Sequence, residues 1–140
     1  MKKFANIKVL FIASLAMIVK DSAKSKKLYL KTLGLLLENN GGDYYHSENI
    51  GGVKHFGLWP LSQAAESCFG KRTWPKNIPI PQACVEFEVE DIEKATVELK
   101  AQGYKLLVAT KTEPRGQTVT RFLGPEGLLL AVTNTPSMRE

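Results

Sequence analysis

Along residues 15–19 apolar side chains recur at every second position, so that Leu15, Met17 and Val19 fall on one side of an extended chain. This alternation predicts a strand over residues 9–19 that runs into Asp21. The pattern then returns. Laying LAMIVKDSAKSKKLYLKTLGLLL from residue 15 over VEFEVEDIEKATVELKAQGYKLL from residue 85 matches Val19 with Val89, Asp21 with Asp91 and Lys24 with Lys94. The offset is a constant 70, half of the 140-residue chain. In each copy the aspartate is placed to cap the free amides of a following helix. Each helix is predicted to stop at a glycine, Gly34 or Gly103, able to take the left-handed conformation that closes a helix. Ile92, Ala95 and Leu99 form an apolar stripe at helical spacing in the second copy, and Ala23, Leu28, Thr32 and Leu33 form a less regular one in the first. Both stripes are read as core packing.

After each helix the period changes from that of a helix to that of strands. LLLEN, DYYHSE and VKHFGLW in the first half are separated by NGGD and NIGG, turn sequences in which glycine and asparagine tolerate positive φ. YKLLVAT, QTVTRFL and GLLLAV follow in the second half, the last two joined by GPEG. Each half is therefore strand, helix and three strands. The predicted fold is α+β, with two βαβββ modules over residues 1–60 and 81–140. Residues 61–80 form a linker or lid within the stretch PLSQAAESCFGKRTWPKNIPIPQ, which holds four prolines and a possible helical turn over 62–69. One helix on a four-stranded sheet leaves the other face bare. Two such units can curl those faces toward each other, giving a curved mixed sheet around a cleft.

The N-terminal MKKFANIKVLFIASLAMIVK has two lysines and an apolar run, as a secretory signal does, but Lys8 interrupts the approach and the strand alternation follows. Its run of about eleven apolar residues is too short to span a bilayer, so no membrane association is expected. With 44% hydrophobic and 24% charged residues the composition is that of a folded globular chain. The net charge of +5 comes from scattered basic residues, the densest group being Lys24, Lys26 and Lys27 at the spacing of a solvated helix face. No nucleic-acid partner is expected. Cys68 and Cys84 are single thiols with no CxxC pair, pointing to a reducing, cytoplasmic compartment. Ser14 and Ser62 lack a recognisable base and orienting acid, and Gly51-Gly52 is a turn rather than a phosphate cradle.

VKDSAKSKKLYLKTLGL, EVEDIEKA and RGQTVTRFLGPEGLLLAV together closely resemble the vicinal oxygen chelate superfamily of glyoxalase I, extradiol dioxygenases, fosfomycin-resistance enzymes and bleomycin-resistance proteins. The likeness spans roughly residues 10–135. It implies a divalent metal held by His, Glu or Gln side chains from the first and last strands of the two modules. The histidine usually found seven residues before the aspartate of VxD falls on Ser14 in the first module and on Cys84 in the second. The glutamate six residues after the proline of DPxG falls on Ala131, counted from Pro125, and the fourth position lies near Gly57 or Trp59. A divalent ion needs three or more donors converging within about 2.0–2.6 Å, and one thiol does not supply them. Cys84 is read first as a small buried hydrophobe. No cofactor is expected, the alternative being one divalent metal displaced to the two histidines, His46 and His55, with Glu48 or Glu86.

What remains is a pocket. Trp59 ends a strand and Trp74 stands beside Pro75 in the linker, two aromatic faces suited to a flat or cationic ligand, although core or dimer packing accounts for them equally. His55, Arg115 and Gln117 are the candidate polar contacts. Arg115 and Gln117 precede TVTRF, where related resistance proteins usually read PWGQ, so Arg115 replaces a tryptophan. The resulting expectation is a metal-independent protein that binds a small organic molecule between its modules, as a homodimer. A metal-dependent lyase or dioxygenase with relocated ligands and a non-catalytic interaction module are the alternatives.

Overall fold

The computed structural model describes residues 7–39, 42–114 and 116–139. Its eight strands form one curved mixed sheet in the order β2-β3-β4-β1-β5-β8-β7-β6. The first half supplies β1 (Val9–Val19), β2 (Glu38–Asn39), β3 (Tyr45–Ser47) and β4 (Phe56–Pro60). The second supplies β5 (Ala83–Val89), β6 (Leu106–Thr112), β7 (Thr118–Leu123) and β8 (Leu129–Asn134). In each half the first strand runs parallel to the last, β1 with β4 and β5 with β8, and the halves join through the antiparallel β1–β5 pair. The α+β architecture of two βαβββ units is the one the repeat predicts.

The repeated local signals act alike in the two halves. β1 and β5 both end at the matched valines, Val19 and Val89. Asp21 then accepts from the Lys24 amide at 3.2 Å, and Asp91 from the Lys94 amide at 3.0 Å. Helix α3 (Ile92–Ala101) buries its predicted stripe of Ile92, Ala95 and Leu99 against Val89, Phe122 and Val132. Each of the two large aliphatic side chains in that stripe contributes about 1.5–3 kcal/mol on burial.

The first helix departs from expectation. After α1 (Ser22–Lys26) the chain widens into a π turn over Lys27–Thr32, in which the Leu33 amide bonds back five residues to the Leu28 carbonyl at 2.8 Å. The wider turn rotates the later residues away from the helical register. Leu28 and Leu33 of the predicted stripe are consequently exposed, and no residue of α1 or the π turn is fully buried. Tyr29 takes over the contact, its ring 6.1 Å from that of Phe56.

Strand alternation sorts the core onto two faces. Leu15, Met17 and Val19 pack with Phe56, Leu58 and Tyr29 on the side of α1. Ala16 and Ile18 turn to the opposite face, where they meet Cys84 and Leu129. That face is covered in part by the connecting segment, which folds into α2 (Leu61–Phe69) and sets Ala64, Ala65 and Cys68 against the sheet. Among the described residues no helix is long and apolar enough to cross a membrane.

Candidate functional site

The concave face between the halves holds a cavity of about 810 Å³. β7 places Arg121 at its floor. Along TVTRFL Thr120 turns toward α3, where it bonds Thr96 at 2.7 Å, and the next residue, Arg121, turns to the other side and lines the cavity. Only 2% of Arg121 is exposed, so its charge requires partners. Nη1 donates to Glu86 Oε2 at 3.0 Å and to Cys84 Sγ at 3.4 Å, and Nε donates to Ser67 Oγ on α2 at 3.2 Å. The Trp59 ring lies 4.9 Å from Cζ of the same guanidinium. Burial, the largest single influence, would by itself favour losing the proton, but the charge and hydrogen bond of Glu86 together with the neighbouring Cys84 and Cys68 outweigh it and hold the pKa above the ordinary arginine value. The cation is therefore permanent. Burial pushes the Cys84 thiol up to about 12, and the neighbouring Arg121 only partly opposes the rise.

Four positions on this face bear on a metal of the kind the family resemblance implies. Ser14 and Cys84 line the cavity, and Ala131 stands in register beside both Glu86 and Arg121. A Cβ at Gly57 would stand 2.7 Å from the Tyr44 hydroxyl, so any larger residue there requires the Tyr44 ring to move. A hydroxyl, a protonated thiol, a methyl group and a bare glycine do not make a divalent-cation site. A buried guanidinium already bonds the one thiol among them. These residues do not fit the metal.

A second cavity of about 530 Å³ adjoins the first and shares Ser14, Tyr44 and Glu86 with it. Its walls include His46, Glu48, His55 and Gln117. Glu48 Oε2 lies 2.6 Å from His55 Nδ1 and 3.1 Å from His46 Nδ1. The Tyr44 hydroxyl hydrogen-bonds His55 Nε2, and the rings of Tyr44, His46 and His55 stack with centroids 5.1–5.8 Å apart. Partial burial alone would raise the Glu48 pKa, but the hydrogen bonds and charge of the two histidines together hold it below the usual carboxylate value. Gln117 donates through Nε2 to Glu86 Oε1 at 3.0 Å and to Thr135 Oγ1 at 2.9 Å. Among the described residues its Oε1, which is buried, has no hydrogen-bond partner.

The five candidate ligand contacts thus part company. Trp59 lines the central cavity, while His55 and Gln117 line the adjoining one. Trp74 is placed in neither wall: it is buried in the core, edge-on to Phe69 and donating from its indole nitrogen to the Ile78 carbonyl at 2.9 Å. The linker's own fold draws it inward. Arg115 lies outside the described residues. Sequence reading passed over Arg121, although an arginine between Val119 and Leu123 on one side of an alternating strand signals a buried or functional cation.

Two βαβββ halves sharing one curved sheet, with the concave face built as a polar cleft, define a paired-module protein. The chain belongs to the Glyoxalase/Bleomycin resistance protein/Dioxygenase superfamily, which it matches over residues 11–132. Among solved structures it is similar to methylmalonyl-CoA epimerase from Mycobacterium tuberculosis, at 16% identity and a TM-score of 0.59, covering 97% of this chain and 95% of that one. A superfamily member from Vibrio splendidus 12B01 is similar at 16% identity and a TM-score of 0.57, over 93% of this chain and 100% of the other. An extradiol ring-cleaving dioxygenase from B.fuscum shows 18% identity and a TM-score of 0.61, over 93% of this chain but 34% of the larger enzyme. These likenesses show the fold. Among curated proteins none matches.

Proposed function

We propose that this protein binds a small organic molecule in the central cleft, and that Arg121 and Trp59 recognise it without a metal at the family positions. The observation that supports this reading is the anchored guanidinium. Glu86, Cys84 and Ser67 fix Arg121 from below and from the α2 side, leaving the cleft with a rigid cation set against an indole face. Small-molecule sites of this kind combine an apolar surface with a few placed polar groups. A planar molecule carrying an oxygen acceptor satisfies both. It stacks on Trp59 and accepts from Arg121 or from Ser14, which lines the same wall.

The test is a screen of planar antibiotics and aromatic metabolites, read by tryptophan fluorescence on Trp74→Phe, which keeps an aromatic ring in the core and leaves Trp59 as the reporter. Calorimetry on Trp59→Ala should then show binding weaker by about 1–3 kcal/mol, the scale of losing a buried large apolar contact. Binding in the cleft is expected to survive chelator treatment. Unchanged affinity in Trp59→Ala would remove the assignment. The alternative reading, a metal-dependent lyase or dioxygenase with relocated ligands, draws its support from the grouping of His46, Glu48 and His55.

A further inference from the structure

His46, Glu48 and His55 occupy none of the four positions singled out by the family resemblance, yet they bring two imidazoles and a carboxylate to one spot. β3 and β4 run antiparallel with His46 opposite Gly57. Because partners across a ladder share a face, His46 stands on the cleft side with Gly57 and with His55, two residues before it. The absent side chain at Gly57 is what admits the Tyr44 ring, and Tyr44 in turn stacks on both histidines. Here a glycine near the fourth family position makes room for a different donor group.

We propose that His46, Glu48 and His55 bind one divalent ion of the Zn2+, Co2+, Ni2+ or Fe2+ kind, beside the cleft and facing the adjoining cavity. The three donor atoms lie within 4.8 Å of one another. Donors that share an ion at about 2.0–2.2 Å stand roughly 3–3.5 Å apart, so the His55–Glu48 pair opens by less than about 1 Å to admit it. Two neutral imidazole nitrogens and one carboxylate suit borderline transition ions and do not suit Ca2+ or Mg2+, which take oxygen ligands. A ligating histidine usually passes its other ring nitrogen to an oxygen partner that fixes its orientation. The Tyr44 hydroxyl already holds His55 Nε2 in that way.

A separate observation points into the same cavity. Gln117 is 4% exposed, and its amide nitrogen is committed to Glu86 and Thr135, which fixes the orientation of the group. Among the described residues Oε1 is left as a buried acceptor with no donor, in a cavity that the histidine group also lines. Such an atom calls for an incoming O–H or N–H. Water carried in by the ion supplies one. The site uses residues other than Arg121 and Trp59, so it stands or falls independently of the cleft reading.

The full chain, stripped of metal with a chelator and exchanged into clean buffer, is titrated with Co2+ and followed by visible absorption. The expected result is one ion per chain with nitrogen and oxygen ligation and no thiolate-to-cobalt charge-transfer band. Glu48→Gln and His46→Ala each change a partly accessible group, and circular dichroism verifies that both remain folded. Each should weaken Co2+ binding by at least about tenfold, the lower bound for groups one shell further from a metal. Cys84→Ser should leave stoichiometry and affinity unchanged. No binding, binding indifferent to both cluster substitutions, or a thiolate band abolished by Cys84→Ser would each overturn the proposal.

Discussion

Arg121 shows how one buried charge shapes this protein. Its guanidinium and the Glu86 carboxylate stand 3.0 Å apart with side-chain exposures of 3% and 7%, so neither ion has water to fall back on. Removing one partner of such a pair leaves an unpaired buried charge, which typically costs about 3–5 kcal/mol. Arg121→Met is expected to lower stability in urea by that order, with Glu86 the stranded group. The double variant Arg121→Met, Glu86→Gln should recover part of the loss, since the stranded charge is gone and Gln117 still has an amide oxygen to bond. Equal losses in the single and double variants would show that the pair is not what holds this floor together.

At the level of elements, the two helices after β1 and β5 begin with the same capping bond and end with different packing. α3 carries a buried stripe, so fraying its first turn loosens Ile92 and Ala95 from the core. Asp91→Ala should therefore cost about 1 kcal/mol in chemical denaturation, within the usual range for losing an N-cap. Asp21→Ala removes an equivalent bond from a helix with no buried residue and should cost less. A reversed order of the two losses would contradict the packing described. The sequence shows both caps because they are three-residue relationships. It does not show the π turn after α1, where packing of Tyr29 against Phe56 overrides a helical stripe that runs through Leu28 and Leu33.

For the whole molecule, β1 is the seam, paired with β4 on one side and β5 on the other. Its outer end nevertheless leaves Val9, Leu10 and Ile12 substantially exposed, and Leu28, Leu33 and Leu36 are exposed near the first helix. Apolar surface of this kind is commonly covered by a second copy, and a stable pair buries more than roughly 1,000 Å². Light scattering at micromolar concentration is expected to report about twice the 15.5 kDa chain mass. A monomer at that concentration would contradict it.

The amino-acid sequence alone determined what depends on near neighbours. The alternation that gives β1 and β5, the aspartate caps, the stripe of α3 and the 70-residue repeat are all relations between close positions or between two copies of one segment. Together they were enough to predict two βαβββ halves, and the family resemblance then implied that Ser14, Cys84 and Ala131 stand where its metal ligands would be. Only the tertiary structure decided what fills that space instead. Glu86 and Arg121 are 35 residues apart, and Ser67 and Arg121 are 54 apart. They meet because the strand order sets β8 between β5 and β7 and because α2 folds back over the concave face. Trp74 went to the core for the same reason, and Tyr44 could reach both histidines only once β3 had paired with β4. Contacts of this kind are made by closing long loops around a common sheet, and no local pattern of residues encodes where such loops will close.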